Sequence, residues 1–523
     1  MLALTVSLSL SLLAPPSAAP RLLVLGGNGF VGREVCREAV ARGWRVTSLS
    51  RRGVNPEPRA SPLEKVEWVA GDAADAELLR TLAADADAFV HAVGLLFDSQ
   101  SGLGALNFVA SGSRSTPADG STYDAVVRQS AQALAAAVDA SAAARRRPLA
   151  FVSAHEAGWT ELPSGRALDE AAPEWLRRYL RAKREGEELL LSAPSARAVI
   201  VRPSLMWNWG KLDVLPLLPF LNAAHAVGLG GGAVGKMLPV HLVAASIVQA
   251  IEDEAVSGVV DTRQIEALAP LSALKRVGPV DTLTSGLASI SRLPYGTSVS
   301  AAVAASAAPS TAPRADQLRL YEFEACPFCR RVREAISYLD LCVTVYPCGR
   351  GSRHRPHVEA AAAKLGKPRP TFPYLEDTAA GVSLFESDEI VKHLLDAYGN
   401  GAPLPPPSDY FLPSALLTGW VANLLRPSRG AAVSAQALEQ GPAEPLVLYS
   451  YDGNQFCRLV REMLVELDVP YTLMSVAKGS PRRAKLKELA GRSTAPYLVD
   501  PNTGVAMFES ADIVDYLCRT YGK

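Results

Sequence analysis

RLLVLGGNGFVGREVCREAV, Arg21–Val40, decides the fold of the front half. The apolar run Arg21–Leu25 reads as a buried strand and breaks into Gly26-Gly27-Asn28-Gly29-Phe30-Val31-Gly32, after which a helical pattern begins. The spacing is G-x-x-G-x-x-G. Gly26 lets the chain turn tightly, Gly29 lets backbone approach a diphosphate, and Gly32 lets the helix pack close to the sheet. A helix N-terminus then offers free N–H groups and a partial positive charge to phosphates. A glycine motif is informative only between a strand and a helix, which is where this one stands.

Working outward, further apolar runs follow: Trp44–Ser50, Val66–Asp72, Ala88–Gly94, Leu149–Ala154 and Arg197–Pro203, with helical patterns between several of them. This alternation predicts a doubly wound parallel α/β sheet over residues 21–267. Ser50-Arg51-Arg52 ends the second strand. An acid there would accept from a ribose hydroxyl, whereas arginine suits a 2′-phosphate, so NADP is favoured over NAD. Asp72, at the third strand's end, is placed to reach adenine. His91 and Gly94 end the fourth strand, where a dinucleotide would cross, and serve equally well as packing residues. Phe30 and Val31 complete the cofactor turn. Tyr179 and Lys183 form Y-x-x-x-K and share one helix face. An ammonium beside a phenol would lower its pKa and suit it to carbonyl–alcohol proton transfer. Ser153, ending the fifth strand, would orient a substrate oxygen. The competing reading of the Tyr179 segment is a plain basic helix face.

The chain has 523 residues, 48% hydrophobic and 20% charged, with 53 Lys+Arg against 53 Asp+Glu. That composition excludes global disorder, and the zero net charge offers no basic excess for nucleic acid. Met1–Pro20 is uncharged, apolar and Ser-rich, with small residues at its end. It reads as a cleaved targeting signal, too short and too Pro-punctuated for a membrane span; the competing reading is a frayed tail or a truncated gene. Residues 268–317 turn to Ala, Ser, Pro, Gly and Thr and read as a flexible linker.

The back half repeats itself. LRLYEFEACPFCRRVREAISYLDL (Leu318–Leu341) is echoed by LVLYSYDGNQFCRLVREMLVELDV (Leu446–Val469), Thr371–Asp377 by Thr494–Asp500, and Leu384–Gly399 by Met507–Gly522. Matched blocks in the same order mean duplication of a unit of about eighty residues. Two α/β domains are expected, 318–400 and 446–523, joined by a linker at 401–445 in which Tyr410–Leu425 reads as a packing helix. In the first repeat Cys326-Pro-Phe-Cys329 opens a helix, whose N-terminus would stabilise a thiolate, with Arg330 and Arg331 adding charge. Cys326 would be the nucleophile and Cys329 the resolving thiol. A cis Phe372–Pro373 peptide would present backbone to a glutathione-like chain, and Glu386-Ser387 would hold its γ-glutamyl end. A zinc site would need two further ligands, and Cys342 and Cys348 bring no second C-x-x-C; no metal is expected. The second repeat has Asn454 in place of the first cysteine and so loses dithiol chemistry.

On LGGNGFVGREVCREAV, VHAVGLLFD, FVSA, YLRAKREGEELL and IVRPSLMW, the front domain resembles the atypical and extended short-chain dehydrogenase/reductases. Within them it resembles the branch associated with the mitochondrial coenzyme Q biosynthesis complex and its plastid relatives. That resemblance implies NAD(P) binding at Gly26, Gly29 and Gly32, and a possible active site at Tyr179 and Lys183. The repeats, on CPFC, FPYL, FESDEIV and APYLVDPNTGVAMFESADIVDYL, resemble glutaredoxins and the N-terminal thioredoxin-fold domain of glutathione S-transferases. Their tandem arrangement is similar to that of plant and algal plastid proteins. The expectation is an NADP-binding oxidoreductase fused to a glutathione-linked thiol–disulfide module, acting on a small-molecule substrate in an organelle, plastid before mitochondrion. The competing class is a non-catalytic, NAD(P)H-sensing scaffold in a quinone or isoprenoid biosynthetic complex.

Overall fold

The computed structural model describes residues 19–57, 61–107, 117–140, 145–211, 215–228, 232–305, 314–403 and 413–523. Nearly all of the expected targeting signal, 1–18, lies outside them. The chain divides into two compact units, Met1–Ala269 and Pro270–Lys523.

In the first unit seven strands form one parallel sheet: β1 (Arg21–Leu25), β2 (Arg45–Ser50), β3 (Glu67–Ala70), β4 (Ala88–His91), β5 (Arg147–Val152), β6 (Ala196–Val201) and β7 (Gly258–Val260). Their order is β3-β2-β1-β4-β5-β6-β7. The order reverses direction between β1 and β4, which opens a crevice at their carboxyl ends. Strands buried on both faces are nearly continuous apolar runs; Leu22 to Leu25 are all buried. One face is covered by α1 (Gly32–Ala41) and a later helix, Val240–Glu252, around Val35, Val24 and Val248. The other carries α2 (Ala76–Ala84), α3 (Ser130–Ala140) and α4 (Glu174–Leu191) around Phe89, Leu134 and Phe151. The helix Val240–Glu252 is α5.

The second unit departs from two separate domains on a string. Its strands are β8 (Leu318–Glu322), β9 (Cys342–Pro347), β10 (Tyr374–Asp377), β11 (Val382–Phe385), β12 (Leu446–Ser450), β13 (Tyr471–Ser475), β14 (Tyr497–Asp500) and β15 (Val505–Phe508). They form one eight-stranded mixed sheet, β11-β10-β8-β9-β13-β12-β14-β15. Each repeat supplies a thioredoxin-like half, and the halves join through antiparallel β9 and β13. There Thr344 pairs with Thr472, Val343 with Leu473 and Val345 with Tyr471. Thr344 and Thr472 are equivalent positions, so a local two-fold passes between them. The join buries an edge strand from each half.

The expected linker 268–317 is corrected, because its first part is folded. Helix α6 (Pro279–Ile290) is followed by Arg292, whose guanidinium donates to buried Glu334 at 2.9 and 2.6 Å. The longer helices that follow in this unit are α7 (Pro327–Tyr338), α8 (Arg355–Lys364), α9 (Ser387–Tyr398), α10 (Pro413–Leu425), α11 (Gln455–Glu466), α12 (Arg482–Ala490) and α13 (Ser510–Tyr521). The expected packing helix within 401–445 is α10. Residues 279–300 and 413–434 are themselves a repeat: Pro279, Thr284, Ala288, Arg292, Gly296 and Val299 recur as Pro413, Thr418, Ala422, Arg426, Gly430 and Val433. The repeated unit therefore begins with this leader and not at Leu318.

Each leader crosses to the opposite repeat. Val299 N donates to Lys478 O at 2.8 Å and Val433 N to Arg350 O at 2.9 Å, and these are equivalent bonds. Gly453 N donates to Gly296 O, and its counterpart Ala325 N donates to Gly430 O. Helix α6 reaches α11, where Ser285 Oγ donates to Gln455 O at 2.7 Å. Helix α10 reaches α7: a Cβ on Gly419 would stand 2.9 Å from Pro327 Cβ. The architecture is that of an exchanged-arm dimer written into one chain.

Candidate functional site

In the first unit a cavity of about 690 Å³ opens over the carboxyl ends of β1, β2 and β4. Gly26, Asn28 and Gly29 line it, with Arg51, Arg52, Asp72 and Gly94. Gly26 has φ +85°, and a Cβ there would stand 3.0 Å from Ala92 O. Only glycine keeps this turn open to a diphosphate. A Cβ on Gly32 would meet Gly26 O at 2.2 Å, so that glycine closes the turn on itself. The residue that lets α1 approach the sheet is Gly27, where a Cβ would stand 2.2 Å from Ser48 Oγ, a role the motif spacing does not reveal. The residues present therefore fit a dinucleotide.

Several expected contacts move. Phe30 and Val31 are buried in the core beneath the turn; Arg33 and Lys211 stand over the Phe30 ring at 6.0 and 5.6 Å. His91 is corrected from a cofactor contact to a packing residue. It is fully buried, its ring lies 5.1 Å from Phe151, and Nε2 is 2.7 Å from Ser130 Oγ. Burial, reinforced by Lys183, holds it at about 3, so it is neutral. The far wall, missed in the sequence, comes from Asp119, Gly120 and Ser121 and from Ala125 and Val126. The last two lie on a π-helical stretch, Asp124–Gln129, for which no periodicity gives a signal.

Tyr179 and Lys183 do share a face of α4: Lys183 Nζ is 5.8 Å from the Tyr179 ring and donates to Val152 O at 2.7 Å. Burial lowers Lys183 to about 8. The Tyr179 phenol is pushed up and not down, by burial first and then by Glu156 and Tyr123. Ser153 is also corrected. Its hydroxyl donates to Glu187, a carboxylate bound by Arg202 at 3.0 and 2.6 Å. A buried ion pair recruits every nearby donor, and this one takes the serine.

In the second unit Cys326 caps α7: Cys329 N–H donates to Cys326 Sγ at 3.3 Å. Burial would raise the Cys326 thiol, yet hydrogen bonds from the Cys329 thiol and its backbone N–H bring it below its ordinary value. Cys329 is pushed well up by burial and by Cys326. Cys326 is 6% exposed and Cys329 is fully buried. Arg330 and Arg331 are committed elsewhere, Arg330 to Asp452 and Glu334 and Arg331 to Ser387 and Asp388.

Phe372–Pro373 is cis, as is Ala495–Pro496. Phe372 O lies 3.8 Å from Cys326 Sγ. Glu386 has φ +68° and Glu509 φ +69°, a costly conformation for glutamate that both repeats keep. Ser387 Oγ accepts from Arg331 at 3.2 Å. Cysteine, backbone and Glu386-Ser387 thus surround one end of α7 and α9. In the second repeat Asn454 Oδ1 accepts from Phe456 N and Cys457 N, replacing sulfur as the cap. Among the described residues no cluster of metal-ligating side chains occurs.

Residues 26–254 match the NAD(P)H-binding family, and residues 320–403 and 448–523 match the glutathione S-transferase, N-terminal domain, family. The chain joins an NAD(P)H-binding Rossmann domain to a transferase-type thioredoxin-like region. The NAD(P)H-binding domain accounts for the glycine-lined cavity, and the transferase-type region for the duplicated sheet. Among curated relatives, MIOREX complex component 2 of Saccharomyces cerevisiae is 29% identical over 217 residues, covering 36% of this chain and 73% of that protein. An uncharacterised chloroplastic protein of Arabidopsis thaliana is 50% identical over 52 residues, 10% of this chain and 17% of that protein. Ceramide reductase of Caulobacter vibrioides is 29% identical over 216 residues, 39% of this chain and 55% of that protein.

Proposed function

We propose that the transferase-type region performs glutathione-linked thiol–disulfide exchange, with Cys326 as nucleophile and Cys329 as resolving thiol. The observation that carries this is the Cys329 N–H bond to Cys326 Sγ at the N-cap of α7, the arrangement that favours a thiolate. Phe372, Pro373, Glu386 and Ser387 would hold glutathione. The test is reduction of a peptide–glutathione mixed disulfide: the Cys326→Ser variant should be inactive, and unchanged activity would end the reading.

The NAD(P)H-binding domain is proposed as a reductase that prefers NADPH, with Arg51 and Arg52 at the 2′-phosphate. The cofactor would supply hydride. Lys183 would hold the Tyr179 side of the site, and the phenol would donate a proton to a carbonyl or quinone oxygen. An apolar substrate is favoured by Leu205, Trp209, Phe220 and Val227, which stay exposed between β6 and the loop whose Gly232 O meets His155. An organelle, plastid before mitochondrion, is supported by the apolar Met1–Pro20 and the chloroplastic relative. Among the described residues no helix is long and apolar enough to cross a membrane.

A second reading is favoured by two observations. Ser153 is bound to Glu187, and the Tyr179 phenol is raised. On that reading the NAD(P)H-binding domain senses cofactor within an assembly. NADPH binding without turnover on any carbonyl or quinone would support it.

A further inference from the structure

The duplication supplies an internal control for the surroundings of the dithiol. Each leader helix crosses to the helix that opens with the cysteine motif of the opposite repeat, so what covers one such N-terminus has a counterpart over the other. Counting from Pro279 and Pro413, the counterpart of Gly286 on α6 is Trp420 on α10. Over the disarmed copy the glycine is required: a Cβ on Gly286 would clash with Gln455 Oε1, so the glutamine side chain lies where a side chain at 286 would go. Gln455 is the second residue of Asn-Gln-Phe-Cys, and its counterpart is Pro327 of Cys-Pro-Phe-Cys. The neighbouring contacts keep this register, Ser285 meeting Gln455 in one copy and Gly419 meeting Pro327 in the other. Where the disarmed copy has a long amide and no leader side chain, the armed copy therefore has a short proline and an indole. The Cα–Cβ bond of Trp420 leaves α10 toward the residue next to Cys326. The indole stays 52% exposed, and Leu424, one helical turn on, is 81% exposed. Phe328 adds a ring at 40% exposed, as Phe456 does in the other copy. These three side chains form an apolar patch beside the reactive thiol, and its indole has no counterpart at the disarmed copy. A ring so open to water is not held there by core packing.

We propose that Trp420, with Leu424 and Phe328, forms a subsite for the partner that leaves Cys326, and that this partner is a small aromatic thiol carried as its mixed disulfide with glutathione. The inference rests on the thiol-exchange reading above and names its substrate class. Phe372, Pro373, Glu386 and Ser387 would take the glutathione half, which leaves the other half of the disulfide to the patch reached through Pro327. The exposed rings set the chemistry: an aromatic group stacks on indole and phenyl and is driven there by the water it displaces, whereas a polar chain gains nothing. Trp420 and Leu424 span one helical turn, about 6 Å along α10, which suits a single ring and not a protein surface. The Cys326 thiolate attacks the glutathione sulfur, the aromatic thiolate leaves across the patch and takes a proton from water, and a Cys326–glutathione disulfide forms. Cys329 then displaces glutathione as thiolate and gives its proton to water. Two further glutathione molecules reduce the Cys326–Cys329 disulfide and leave as glutathione disulfide, so the aromatic half gains the electrons that glutathione loses.

The test compares two mixed disulfides of glutathione, one with benzyl mercaptan and one with 2-mercaptoethanol, as substrates of the reduced full chain. The rate constant for thiol release should favour the benzyl compound by about tenfold or more. Trp420→Ala should bring that ratio to within about twofold of unity, and Trp420→Phe, which keeps a ring, should retain most of it. Leu283→Ala, which removes an exposed leucine from α6, should leave the ratio in place. A wild-type ratio near one, or a Trp420→Ala chain that keeps the wild-type ratio, overturns the proposal. A loss in Trp420→Ala confined to a glutathionylated peptide with phenylalanine beside its cysteine would make the occupant a protein segment and overturn the small-thiol assignment. Where the wild-type chain transfers from neither compound, the glutathione reading falls, and alkylation of Cys326 by N-benzylmaleimide against N-methylmaleimide decides the subsite without glutathione. A benzyl preference that Trp420→Ala abolishes upholds the subsite, and an absent or unchanged preference removes it.

Discussion

Arg333 of the first repeat donates to Asp452 of the second at 2.9 Å, and the same bond runs back, from Arg461 to Glu324, also at 2.9 Å. Arg333 and Arg461 are equivalent positions, as are Asp452 and Glu324. Such reciprocity defines a two-fold interface, here between halves of one chain. All four side chains are at most 2% exposed, so their charges balance one another without water.

Asp452→Ala should therefore leave Arg333 and Arg330 buried without their shared counter-charge. Removing one partner of a buried pair destabilises by about 3–5 kcal/mol. Urea unfolding of the full chain should show that loss in the transition of the second unit, with Glu324→Ala behaving alike. A loss below 1 kcal/mol in both would mean that the reciprocal pairs do not hold the halves together.

The leader crossing gives a second symmetric pair. Gly296 has φ +67°, with a Cβ there 3.0 Å from Asp452 Cβ, and Gly430 has φ +62°, 2.8 Å from Glu324 Cβ. Alanine at either position combines an unfavourable backbone with a clash. We expect each to destabilise by about 2 kcal/mol or more, read as a lower Tm. Equal tolerance of alanine at both would contradict the exchanged leaders.

At the cofactor turn, Arg51→Ser with Arg52→Ser should weaken NADPH by about tenfold or more and leave NADH within about twofold, measured by calorimetric titration. Equal weakening of both would place the arginines elsewhere than at the 2′-phosphate.

Lys183 gives a pH signature. Its folded value, about 8, lies below the ordinary 10.5, so the folded state prefers the neutral amine. The unfolded chain then binds more protons between these values, and stability rises with pH across them and is lost as pH falls through 8. Lys183→Met should remove about 2–3 kcal/mol of that rise, seen as the difference between the variant and wild-type stability curves from pH 8 to 10. Parallel curves would mean that Lys183 titrates as an exposed lysine.

The sheet of the first unit was legible because strands buried on both faces are continuous apolar runs and Gly26–Gly32 sits between a strand and a helix. Tyr179 and Lys183 follow from helical spacing alone. The commitments of Ser153 and His91 do not, because Glu187, Arg202 and Ser130 reach them only through the folded chain. The duplication was legible from Leu318 onward, where matched residues are dense. Its leader was not, because Pro279, Arg292 and Gly296 are sparse among Ala, Ser and Thr, a composition shared with true linkers. Edge pairing of β9 with β13 leaves no local mark, since each strand reads as an ordinary apolar run. Arg330 and Arg331 looked like charge for the thiolate because Asp452 and Asp388, which take them, lie 122 and 57 residues away in the sequence.

The most direct test of the account is the pH dependence of Cys326 alkylation in the reduced full chain, followed by mass spectrometry of the CPFC peptide. Cys326 should show a midpoint below that of an ordinary cysteine, about 8.5, and Cys329 should resist alkylation throughout. A Cys326 midpoint at or above the ordinary value, or Cys329 reacting first, would contradict it.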